Sequence, residues 1–72
     1  MLLDKMMLGD AIWNAKNRKL GRLSAKMVAD HCNAKGMTEI AELCTEFVEA
    51  KNSGYSTRCR ILSAQIAKCW KD

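Results

Sequence analysis

The chain has 72 residues, 49% hydrophobic and 28% charged, with a formal net charge of +4. That length suits one domain, residues 1–72, and excludes a second; no apolar run approaches the ~20 residues of a bilayer crossing. There is no proline and there are only four glycines, and no segment alternates with a period of two, so helix is predicted throughout.

Residues 2–8, LLDKMML, form a short apolar run closed by Gly9-Asp10. They either cover the core or form an adaptable methionine-rich contact surface. Covering the core is preferred, because a small domain needs its apolar residues. Asp4 and Lys5 interrupt the run and no small-residue cleavage site follows it, so no secretory signal is read. A cytoplasmic, reducing setting is the expectation, with the four cysteines as free thiols.

Asp10 is a candidate N-cap for the next helix. Ala11, Ile12, Trp13 and Ala15 precede Lys16, Arg18 and Lys19, cations suited to the negative end of a helix dipole. Gly21 then fits a left-handed C-terminal cap. A break there is the preferred reading, and one helix over 10–33 is the alternative. Over 22–34 the stripe is Leu20, Leu23, Met27 and either Val28 or His31, with Gly36 as the second stop.

Residues 38–51, TEIAELCTEFVEAK, carry the clearest pattern. Ile40, Leu43, Cys44, Phe47 and Val48 recur at steps of three and four, one apolar stripe on a helix that Thr38 is placed to cap. Glu39, Glu42, Glu46 and Glu49 fall largely on the other side. Asn52-Ser53-Gly54 reads as a turn. Ser56 or Thr57 is the candidate cap of the last helix, whose stripe is Cys59, Leu62, Ile66 and Cys69-Trp70. Arg58, Arg60, Gln65, Lys68 and Lys71 make its wet side.

Charge is unevenly spread. Residues 1–36 hold seven Lys or Arg against three Asp, residues 37–51 four Glu against Lys51, and residues 52–72 four basic residues against Asp72. An acidic helix between two basic segments can screen itself within one fold or a dimer, or leave one surface basic enough to attract a partner.

A helix-turn-helix reader built on residues 38–51 would offer glutamates to phosphates, a poor match; a reader starting at Ser56 would bring the acidic helix near the backbone. The strip Lys16, Arg18, Lys19, Arg22 and Lys26 is the better nucleic-acid candidate, since Arg18, Arg22 and Lys26 lie four apart on a continuous helix. Cys32, Cys44, Cys59 and Cys69 contain no Cys-x-x-Cys pair, and His31 is the one histidine. Cys59 and Cys69 lie roughly 15 Å apart along one helix, too far to share an ion. No nucleophile elbow, phosphate loop or carboxylate pair is present.

The reading is an all-α bundle of three to four helices with antiparallel neighbours, expected to be dimeric, with no cofactor or metal. It is expected to act without catalysis as a protein-interaction module, an inhibitor or regulator of a larger protein. Met6, Met7, Trp13, Phe47 and Trp70 are the candidate interface residues, and nucleic-acid binding through Lys16–Lys26 is the alternative.

Overall fold

A computed structural model describes residues 7–70, which form four helices and no strand: α1 (Leu8–Lys16), α2 (Arg22–Ala34), α3 (Thr38–Ser53) and α4 (Ser56–Cys69). Each helix packs on the next in sequence, and α1 closes the ring against α4. The radius of gyration is 11.3 Å, close to the ~11 Å of a compact chain this long. Met6, the other residues of 1–6, and residues 71–72 lie outside the described residues.

The break between the first two helices falls where the sequence suggests, but Gly21 does not make it. Asn17 ends α1: its backbone N–H and its side-chain Nδ2 both donate to the Trp13 carbonyl, at 3.1 and 2.8 Å. Arg18 then turns left-handed at φ 59°, and the Lys19 N–H returns to the Asn14 carbonyl at 2.9 Å. The same closure ends α2 at Gly36 and α3 at Gly54, both at φ 79°. There Met37 N–H reaches the Cys32 carbonyl and Tyr55 N–H the Ala50 carbonyl, so each end satisfies carbonyls that have no helical partner. Gly21 instead stands before α2 with an extended backbone, φ −120°. Its N–H donates to Ser24 Oγ at 2.8 Å, and that hydroxyl donates to the Gly21 carbonyl.

The expected side-chain caps are corrected too. Asp10 sits inside the first turn of α1, where its charge still suits the dipole. Thr38 and Ser56 are the first residues of their helices, after Met37 and Tyr55, and no cap side chain bonds there.

The acidic helix buries Ile40, Ala41, Cys44, Phe47 and Ala50, leaves Leu43 and Val48 half-buried, and exposes all four glutamates. The last helix buries Cys59, Leu62, Ser63 and Ile66. The stripe of α2 differs from expectation. Ser24, Ala25, Val28, Ala29 and Cys32 are buried, Met27 and His31 are half-buried, and Leu23 is 50% exposed. Because α2 packs on both α1 and α3, small residues on its inner side allow close approach, and the bulky Leu23 is turned outward. Six alanines, Ala11, Ala15, Ala25, Ala29, Ala41 and Ala50, belong to the core. Among the described residues no helix is long and apolar enough to cross a membrane.

Candidate functional site

The candidate interface residues separate. Met7 and Trp13 lie on the outside, 70% and 54% exposed. Phe47 is 2% exposed; it belongs to the chain's own core and offers a partner almost no surface. Trp70 packs against that core, half-buried, with Lys16 Nζ 5.7 Å from its ring centre. Met6 lies outside the described residues.

The basic strip does not exist as a strip. Lys16 ends α1, Arg18 and Lys19 stand in the turn, and Arg22 and Lys26 belong to α2. A helical spacing of four holds only along one continuous helix, and the left-handed Arg18 breaks it. Arg22 turns away to donate to Asn52 Oδ1 at 2.7 Å.

The turn brings Lys16 and Arg18 instead to α4. Arg18, Leu20, Phe47, Lys51, Arg60 and Ile61 surround a cleft of about 390 Å³. It shares Lys51 and Cys59 with a second cleft under Tyr55, and Arg18 and Ala64 with a third that Lys16 and Lys68 border. Through these shared residues the three clefts adjoin along α4, and together they are the groove. Apolar Leu20, Phe47 and Ile61 line it together with Lys16, Arg18, Lys51, Arg60 and Lys68, and among the described residues no carboxylate does. Lys51 Nζ also lies 5.9 Å from the Phe47 ring centre, an attraction that holds the ammonium at the rim. Among the described residues Arg18 and Arg60 have no acidic partner; the nearby Arg58 does, meeting Glu46 at 3.1 Å.

Ser63 stands in the wall of this groove. It is 7% exposed, and its buried Oγ has no hydrogen-bond partner among the described residues. A buried hydroxyl left so costs free energy that a partner would restore.

The rim residues Lys51, Arg60 and Lys68 were not singled out as a site by sequence reasoning. The signal was there: Arg60, Ala64 and Lys68 lie at steps of four on one face of α4, a small residue between two cations. That the α1–α2 turn supplies the opposite rim is a tertiary fact.

Thiol chemistry is muted. Burial raises the Cys32 thiol, and burial first, with Cys32 beside it second, pushes Cys44 from 9.0 up to about 12. Neither supplies a thiolate at neutral pH. No three metal-binding side chains cluster among the described residues. Compared with family models, with curated proteins and with solved structures, the chain finds no match.

Proposed function

We propose that this protein is a non-enzymatic interaction module of the cytoplasm, a small regulator or inhibitor that binds a larger protein and itself pairs as a homodimer. The observation that carries the reading is Trp13, 54% exposed on a bundle whose core relies on alanine. A chain short of large core side chains leaves one of its two tryptophans outside, together with Leu23, Tyr55 and Ile61. Single exposed leucines are ordinary, but exposed tryptophan is the residue type that most often anchors interfaces.

The test is capture from extracts of the native host by the full chain and by a Trp13→Ser, Leu23→Ser variant. The variant is expected to keep its helical circular dichroism and to lose the partner that the natural chain retains. A partner held equally by both refutes the assignment of this surface.

The groove along α4 favours a second reading, nucleic-acid binding. Its cations, with no carboxylate beside them among the described residues, suit phosphates, and such binding weakens steeply with salt. On this reading a duplex gel shift at low salt is lost when Arg18, Arg60 and Lys68 become glutamate. It survives the same change at Arg22 and Lys26.

A further inference from the structure

We propose that the groove along α4 is a docking site for an acidic peptide segment of a partner protein, one that carries an apolar anchor side chain between its carboxylates. This rests on the protein-binding reading and names the chemistry that the partner presents.

Three observations converge on this occupant. Arg18, from the α1–α2 turn, and Arg60, from α4, line the same cleft, and neither has an acidic partner among the described residues. Guanidinium pairs with carboxylate through two parallel hydrogen bonds, a geometry that fixes a partner's position as well as attracting it. The floor between them is Leu20, Ile61 and the edge of Phe47, which takes an aliphatic or aromatic side chain. Ser63, whose buried hydroxyl has no hydrogen-bond partner among the described residues, lines the same cleft.

That lining favours a peptide over nucleic acid, the second reading above. Single-strand platforms stack successive bases on exposed aromatic rings, whereas Tyr55 is the one exposed ring among the groove's lining residues and the central cleft offers the sealed Phe47 with the aliphatic Leu20 and Ile61. A duplex backbone presents phosphates and sugars and has no long apolar side chain to fill that cleft. A second copy of the chain fits less well. Its acidic surface, Glu42, Glu46 and Glu49 on α3, is otherwise lined by Asn33, Thr38, Ala41 and Thr45, so it offers carboxylates without the large apolar side chain that the cleft takes.

The experiment selects binders to the immobilised full chain from a displayed library of short random peptides. Enriched peptides are then measured by fluorescence anisotropy against purified variants that keep helical circular dichroism. The expected consensus places at least two Asp or Glu around a Leu, Ile, Met or Phe. Affinity is expected to fall about tenfold in Arg60→Gln, further in Arg18→Gln/Arg60→Gln, and about tenfold in Ile61→Ser, and to weaken with salt. Should the double variant not fold, Lys51→Gln with Arg60→Gln replaces it. A library without binders, enriched peptides lacking acidic residues, or affinity unchanged in the charge variants overturns the proposal. So does a short DNA duplex that displaces the best peptide from the same residues. Peptides whose binding is lost in Trp13→Ser and kept in Arg60→Gln also overturn it, while leaving the protein-binding reading intact; that reading fails separately, on the capture experiment.

Discussion

Arg18 holds a left-handed backbone at φ 59° in the position that Gly36 and Gly54 occupy at the ends of the next two helices. A residue with a Cβ carries a cost of roughly 1–2 kcal/mol in that region. Glycine avoids this cost but loses about 0.4–1 kcal/mol through the greater freedom of its unfolded chain. Arg18→Gly is therefore expected to stabilise by about 0.5–1 kcal/mol and to raise Tm by a few degrees, read by thermal melting. Arg18→Ala, which keeps the Cβ, gains nothing. Because the glycine variant also removes a rim cation, it is expected to bind an acidic peptide more weakly while melting higher. Strain retained at a groove residue is the pattern expected of a binding site.

The buried thiols make a second residue-scale prediction. Cys44 titrates at about 12 in the fold against an ordinary 9.0, raised by burial and then by Cys32. Above pH 9 the unfolded chain releases this proton and the folded chain does not. Stability contributed by the neutral thiol is thus complete below pH 9 and declines as pH rises toward 12, by at most ~1.4 kcal/mol per pH unit. The slope of urea-unfolding free energy against pH from 9 to 11 is expected to be shallower in Cys44→Ala. Equal slopes contradict the burial account.

At the scale of the element, the two termini of α2 rest on different chemistry. Ser24 holds both polar groups of Gly21, so Ser24→Ala is expected to cost about 1 kcal/mol by leaving a helix-start amide unmet. The far end depends on Gly36 alone, and Gly36→Ala is expected to cost about as much through strain at φ 79°. Phe47→Ala removes the largest buried side chain of α3, at a cost of ~3–5 kcal/mol. A small core supplies only ~3–5 kcal/mol in all, so the variant is expected to be largely unfolded by circular dichroism at 25 °C. A variant that keeps its Tm would remove Phe47 from the core.

These elements also show what could be read from sequence. The α3 stripe was legible because Ile40, Cys44 and Phe47 are apolar, regularly spaced and opposed by glutamates. The left-handed stop at Gly36 was legible because glycine takes that backbone without strain; at Gly54 only a turn was, and α3 runs through Asn52 and Ser53 before it. The inner face of α2 was not, since Ser24, Ala25 and Ala29 carry little hydrophobic signal and are chosen for closeness to two neighbouring helices. Arg18 was hidden for a related reason: three residues on, Gly21 offered itself as the better left-handed residue, and only the bonds of Asn17 place the stop earlier. The groove was half legible, its α4 rim from spacing and its opposite rim from nothing local.

At the scale of the molecule, the ring of four short helices separates charge. The four exposed glutamates lie on α3, one of them tied to Arg58, while among the described residues the charged groups lining the groove along α4 are all cations. Two copies related by a two-fold axis set equivalent patches against each other. An acidic or basic patch lying on the axis would meet its own copy and repel, whereas Trp13 and Leu23, exposed on α1 and α2, can meet their copies without repulsion, which makes them the candidate contacts for self-association. Burial of an exposed indole and an exposed leucine in a shared contact would offset the weakness of an alanine-built core. Folding would then be coupled to concentration, because anything that binds only the folded chain raises its apparent stability. Tm is expected to rise by several degrees across a hundredfold range of protein concentration, with light scattering reporting the dimer mass at the upper end. In Trp13→Ser, Leu23→Ser the same series is expected to be flat and the mass monomeric, with the acidic-peptide affinity of the groove unchanged, since neither residue lines it. A Tm independent of concentration in the natural chain contradicts the dimer and leaves this surface to the larger partner alone.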